Sequence, residues 1–241
     1  MKVYGYIIGI SALALAVSFW MRNTLPPARV LLPIVAEEPA QTPTRKRAFD
    51  AVWKGLSYRV KPRFDYELTG LVVSFRLHDG NSRMHRRAQD HLNAADLCVV
   101  WDQSASTPFL NRMSFWNGIF TCNFKTTDQQ AWESFNPDQL SNNHLISDDA
   151  RVRDAIADVR IGDQIRMRGF LADYTSPGGG TRKSSVVRTD GGNGACETIY
   201  VEQFDILKRS TGNWRIAMYV SLALLLLSLA LYLRAPHRVR R

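Results

Sequence analysis

The sequence predicts a mainly β domain, five strands with one helix between the third and the fourth, flanked by two transmembrane helices. Three observations predict it. Two uncharged apolar runs, Val3–Met21 and Ile216–Leu233, bracket the chain. Each has the length that crosses a hydrocarbon core of ~30 Å at ~1.5 Å per residue. Between them, Asp163 to Leu171 (DQIRMRGFL) sets Ile165, Met167, Gly169 and Leu171 against Gln164, Arg166, Arg168 and Phe170. Strict alternation of that kind places one face of a strand in a core and the other outside. Asp148 to Val159 (DDARVRDAIADV) carries instead the stripe Val152, Ile156, Val159 behind an Asp pair suited to capping, so one helix follows three strand-like runs and precedes two.

The organisation that follows is a signal anchor over 3–21, a Pro-rich linker with a short helix over 22–62, a domain over 63–209, a second span over 214–234 and a basic tail over 235–241. The domain, about 150 residues, is long enough for one core without obligatory staples. The formal charge of +9 belongs mostly to the flanks. Of 31 Lys and Arg, seven lie beside the spans, namely Lys2, Arg22, Arg215, Arg234, Arg238, Arg240 and Arg241, while all 22 Asp and Glu lie between Thr24 and Asn213. The middle is therefore nearly neutral, and the high pI reports topology before nucleic-acid affinity. Lys/Arg excess marks the cytoplasmic side. The arginine tail then puts the C-terminus inside, and two spans put the N-terminus inside and the middle domain outside. Arg22 and Arg29, beyond the first span, pull the other way and are outnumbered near the second. Ala14-Leu15-Ala16 resembles a signal-peptidase site; the apolar run continues to Trp20 and Met21, so an uncleaved anchor is expected, and either version exports the domain.

Leu25 to Pro43 holds five prolines and reads as an extended, semi-rigid spacer. Phe49, Val52, Trp53 and Leu56 follow Arg45-Lys46-Arg47 at helical spacing. They predict a short amphipathic helix, packed on the domain's flank or lying on the bilayer. Tyr66 to Arg76 (YELTGLVVSFR) is the first strand. His78 to Asp90 is polar and basic and reads as a loop. Leu97 to Trp101 (LCVVW) is a strand buried on both faces, with Cys98 as a small apolar residue within it. Ile119 to Phe124 (IFTCNF) is the third strand candidate, and Gln129 to Ser147 shows no period. After the helix and the 163–171 strand come two turn clusters, Ser176 to Gly180 and Asp190 to Gly194, and a last strand over Thr198 to Leu207 (TIYVEQFDIL).

This order resembles the OB-fold barrel, as does the local text: a helix running into Ile161-Gly162-Asp163, a strand with Arg168-Gly169, and a closing strand Tyr200 to Leu207. The likeness covers about Tyr66 to Leu207; the connections Arg76–Ala95 and Asn111–Ser147 are long for it. It implies a binding face on strands two and three, flanked by the first and fourth connecting loops. Here those loops carry Arg76, Arg83, His85, Arg86 and Arg87, then Arg182, Lys183 and Arg188, with Trp101 and Trp116 beside the face. It also implies that the third and fifth strands are neighbours. In an oxidising compartment that pairs Cys122 with Cys196 and leaves Cys98 reduced; three buried thiols are the alternative. Asp90–Trp101, Asn142–Ile146 and Gly191–Val201 further resemble an uncharacterised family of bacterial two-span membrane proteins, a likeness that carries no activity with it.

Motifs for catalysis are weak. His78-Asp79 and Asn142-Asn143-His144 could begin a metal-dependent hydrolase site, but neither has a second ligand at fixed spacing. Asp190 to Gly194 with Glu197 offers too few oxygens for calcium. Ser184 and Ser185 lack a nucleophile elbow, and Gly178 to Gly180 lacks the Lys of a phosphate loop. The expectation is a membrane-anchored binding or assembly module of the cell envelope, in the bacterial plasma membrane. It expects no cofactor, metal or catalysis, and has membrane lipids and an envelope protein as partners. The rivals are a membrane-tethered metal-dependent hydrolase using His144 and a cytoplasm-facing binder of single-stranded nucleic acid; an outward domain argues against the second.

Overall fold

The computed structural model of the protein describes residues 2–78, 83–118, 121–187 and 196–235. In chain order the elements are α1 (Lys2–Met21), β1 (Ala40–Pro43), β2 (Phe49–Trp53), β3 (Leu56–Leu77), α2 (Arg83–Ala88), β4 (Asn93–Val100), α3 (Asp102–Ser106), β5 (Ser114–Asn117), β6 (Cys122–Lys125), α4 (Gln129–Glu133), β7 (Leu140–Ile146), α5 (Ala150–Ala157), β8 (Gln164–Thr175), β9 (Thr181–Arg182), β10 (Glu197–Lys208) and α6 (Asn213–Arg234). They fall into two units, Met1–Thr24 with Thr211–Arg241, and Leu25–Ser210.

In the first unit α1 and α6 pack on one another, and both are long and apolar enough to cross a membrane. Their packing is inverted relative to a soluble helix pair. The buried residues along the two helices are Ser11, Ser18, Ser221 and Ser228, with Arg215 buried at the start of α6, while Ile10, Leu13, Leu226, Leu227 and Leu233 face outward. Small residues in the seam and large apolar ones on the outside is the pattern of helices whose solvent is lipid.

The second unit is built on an eight-stranded mixed sheet, with β5 and β6 forming a separate hairpin. Strand β3 is 22 residues long and serves two partners. Its Arg59–Leu71 stretch pairs antiparallel with β8, and Leu71–Leu77 pairs antiparallel with β4. From β4 the ladder passes antiparallel to β7, parallel to β10 and antiparallel to β8. Following the hydrogen bonds from β3 through β4, β7, β10 and β8 therefore leads back to β3. The strands β1, β2 and β9 add to this path. Alternate residues of all five strands meet in one core, among them Leu68, Val72, Leu97, Leu145, Met167, Leu171 and Val201, with Val152 and Ile156 of α5 packed on it. Two of the strands approach closely at Gly169, where a Cβ would lie 1.9 Å from the Tyr200 carbonyl oxygen.

Four expectations are corrected. The segment Phe49–Leu56 is a hairpin and not a helix: Lys54 and Gly55 both take positive φ, 51° and 75°, and close a two-residue turn between β2 and β3. Positive φ at both central positions is the hairpin geometry that matches strand twist. The Pro-rich stretch is not a spacer. Leu25 and Val35 are buried, and the Gln164 side chain bonds Leu32 N at 2.6 Å and Val30 O at 3.1 Å. The third strand of the path is β7, while Cys122–Lys125 forms one arm of the hairpin; Ile119 and Phe120 lie outside the described residues. Last, the His78–Asp90 stretch is not all loop, since Arg83–Ala88 forms α2.

Candidate functional site

The outer faces of β4, β7 and β10 carry polar side chains where an apolar or solvated surface would be ordinary. Register places Asp96 opposite His144 and His144 beside Thr198; one step along, Cys98 stands opposite Asn142. Asn142 Nδ2 donates to Cys196 Sγ at 3.1 Å. The row Asp96–His144–Thr198 and the row Cys98–Asn142–Cys196 thus run side by side across three strands.

Asp96 is the hub. His144 Nδ1 donates to its Oδ1 at 2.5 Å and His78 Nε2 to its Oδ2 at 2.8 Å, with Asn93 Nδ2 at 3.3 Å. An ionised carboxylate only accepts, so both rings present an N–H to it. All three side chains are buried. Burial alone pushes the Asp96 carboxyl up, but the hydrogen bonds and charges of His144 and His78 outweigh it and hold it well below the usual carboxylate range. The dyad's geometry, a carboxylate fixing a histidine through Nδ1, is the one that orients a general base. In the next row, burial pushes the Cys196 thiol up, the reverse of what activates a nucleophile. Among the described residues, no group of three or more His, Cys, Asp or Glu side chains is placed to hold a metal ion.

The β5–β6 hairpin borders this floor. Asn117 Nδ2 reaches the Asp96 carbonyl at 3.3 Å and its Oδ1 accepts from Ser74 Oγ at 2.5 Å. A disulfide joins Cys98 on β4 to Cys122 on the hairpin, with Cα atoms 5.6 Å apart. The bridge expected between Cys122 and Cys196 is corrected by this pairing. Cys122 is not on the strand beside β10; it is on the hairpin lying over Cys98, and Cys196 remains a thiol.

The basic residues named from the sequence divide. Arg86 and Arg87 are exposed on α2, Lys183 is exposed and Arg182 half-buried at β9. Two contacts draw these segments together. A Cβ on Gly178 would lie 2.9 Å from the Ala88 carbonyl oxygen, and Tyr174 OH donates to the Asp90 carboxylate at 2.9 Å. Arg182 also lies close enough to Cys196 and Tyr174 to oppose, in part, the rise that burial imposes on each. Trp116 is 44% exposed, with Lys125 Nζ 5.8 Å from its ring. Trp101 is 1% exposed and belongs to the core, so it is removed from the face. The side chains of Arg83 and His85, the 188–195 segment where the Asp190–Gly194 turn was expected, and the basic tail from 236 lie outside the described residues, as does Asp79.

Sequence reasoning had His78 and His144 but not the carboxylate that joins them. Comparison with protein families, with curated proteins and with solved structures gives no match. The signal for Asp96 was present as a lone acid in an otherwise apolar stretch, Ala94 to Trp101, where a buried charge requires partners.

Proposed function

We propose that the chain is a membrane-anchored binding module of the bacterial cell envelope. The spans sit in the plasma membrane with both termini inside, and the Leu25–Ser210 unit is exported. In this reading β3, β4, β7, β8 and β10 form an OB-like barrel, and the other strands are additions to it. The return of the pairing path to β3, the parallel pairing between the third and last barrel strands, and α5 between β7 and β8 all support it. The arginine tail and the lipid-type packing of α1 on α6 support the topology.

The ligand seat is the rim where α2 meets the β8–β9 turn, above the polar floor of β4 and β7. The observation that carries this is the Ala88–Gly178 approach. It brings Arg86 and Arg87 to the same end of the fold as Arg182 and Lys183, although nearly a hundred residues separate them in the chain. Such a rim recognises an anionic group, and an acidic envelope protein is the partner proposed; anionic lipid headgroups share the chemistry. Tethering raises the effective concentration for a membrane partner, so modest intrinsic affinity suffices. No catalytic step is assigned to the Asp96–His144 pair, whose role here is to hold the floor.

The test is binding of the nanodisc-embedded full chain to polyglutamate and to phosphatidylglycerol vesicles at rising salt. The reading expects salt-sensitive binding of polyglutamate that the combined Arg86→Ala, Arg87→Ala, Lys183→Ala variant loses. Binding unchanged in that variant contradicts it, and binding of vesicles alone moves the ligand to the lipid.

A further inference from the structure

The Leu25–Ser210 unit begins and ends at one place. A Cβ on Gly162 would lie 2.8 Å from Ser210 Oγ and 3.3 Å from Pro26 Cδ. Asn111 clamps Leu25 there, accepting from its N–H at 2.7 Å and donating to its carbonyl at 3.0 Å. Both tethers to the spans are short. Leu25 follows Trp20 of α1 by five residues, and Ser210 precedes Trp214 of α6 by four, so neither tether reaches beyond ~18 Å. Trp20 is 83% exposed and Trp214 38%. Tryptophans at the ends of spans settle at the headgroup level, and that level is then within reach of this end of the unit.

An aromatic surface is built against the same end. From the Leu110–Arg112 turn that carries Asn111, the Arg112 guanidinium reaches toward α4. It bonds Asp128 at 2.9 Å and Gln130 at 3.1 Å, and lies 4.7 Å from the Phe109 ring centroid. On α4, Trp132 is 58% exposed, with its ring stacked on Phe124 of β6 at 6.3 Å. Phe124 packs in turn on Phe135 at 5.1 Å. Ala131 and Phe135 belong to the buried cluster that includes Leu25. The exposed indole therefore has a rigid backing joined to the unit's first residue. The charges from Leu110 to Phe135 are Arg112, Lys125, Asp128 and Glu133, and they cancel. A neutral surface with an outward indole fits the boundary between headgroups and acyl chains, where an apolar ring and a polar N–H are both accommodated.

We propose that α4 and the β5–β6 hairpin form a foot that rests on the bilayer, with the Trp132 indole in the headgroup–acyl boundary. This rests on the two-span reading. The occupant is phospholipid without headgroup selectivity, because the surface carries no net charge. The tethers select it over a protein, since the bilayer is the partner kept permanently at high effective concentration. The foot bears on the basic rim as well. Strand β8 starts at Gln164, two residues after Gly162, and runs to Thr175 beside the rim, a length of roughly 35–40 Å at ~3.3 Å per residue. A unit standing on its foot holds Arg182 and Lys183 away from the lipid beneath it, which favours the acidic protein over headgroups as the rim's partner.

Tryptophan fluorescence of the full chain in nanodiscs of acyl-brominated phosphatidylcholine tests this. The share of each tryptophan is the difference between the native chain and its phenylalanine variant. The Trp132→Phe difference should be quenched by brominated lipid as strongly as the Trp20→Phe difference, at low and at high salt. The Trp53→Phe difference, from the β2–β3 turn, should keep its intensity. Quenching at Trp20 with none at Trp132, equal quenching at all three positions, or quenching at Trp132 that high salt abolishes each overturns the foot and leaves the spans standing. Absence of quenching at Trp20 overturns the two-span reading and the foot with it.

Discussion

His144 donates through Nδ1 to Asp96 across 2.5 Å, joining β7 to β4 beneath a third partner, His78. The three side chains are buried, and a charge in that position is tolerated only because its acceptors are filled. Asp96→Ala leaves two buried imidazole N–H groups unanswered. It is expected to cost about 3–5 kcal/mol, the usual cost of removing one partner of a buried pair, and thermal denaturation of the full chain measures it. A loss below about 1 kcal/mol would remove the pair from the account of the floor.

The same carboxylate makes stability depend on acid. Its folded-state value is depressed, so the unfolded chain binds its proton more readily. The stabilisation is complete above the unfolded value of about 3.9 and is lost as pH falls through the lower folded value. Stability should therefore rise with pH across the acid range in the native chain, and more weakly in Asp96→Asn. Identical slopes in the two proteins would show that Asp96 is not held as described.

Non-reducing peptide mapping should return a Cys98–Cys122 cross-link, and Cys196 should be the thiol that alkylates after unfolding without reductant. The loop spans 24 residues, and losing its constraint by Cys122→Ser is expected to cost about 3 kcal/mol. Recovery of a Cys122–Cys196 peptide would reverse the assignment of the hairpin.

Gly169 lies against the Tyr200 backbone with no room for a Cβ. Gly169→Ala must therefore part β8 from β10, or shift both, and should cost more than the ~1–3 kcal/mol typical of overpacking. Chemical denaturation measures it, with Gly178→Ala as a milder comparison at the rim.

Much of the fold was legible because its strands obey simple patterns. The alternation from Gln164 to Leu171 became β8, Thr198–Leu207 became β10, and the Val152–Ile156 stripe became α5. What the sequence concealed was β7. Its Ser141, Asn142, Asn143 and His144 are consecutive and all buried, so neither period-two alternation nor an apolar run announces the strand. The polarity that hid the element is the polarity that makes its outer face unusual. Phe49, Val52, Trp53 and Leu56 misled differently: helical spacing there arose from a hairpin, in which Lys54 and Gly55 reverse the chain between Trp53 and Leu56. Trp101 was set beside the binding face, although it ends an apolar run read as buried and belongs to the core.

The central claim is that the Leu25–Ser210 unit faces away from the cytosol, and one labelling experiment addresses it. Arg151 has a side chain 93% exposed, so Arg151→Cys in a Cys196→Ser background provides a surface thiol beside an intact Cys98–Cys122 bridge. Intact bacterial cells treated with a membrane-impermeant maleimide should label this variant fully, with no further gain on permeabilisation. Labelling that appears only after the membrane is opened would place the unit inside and contradict the account.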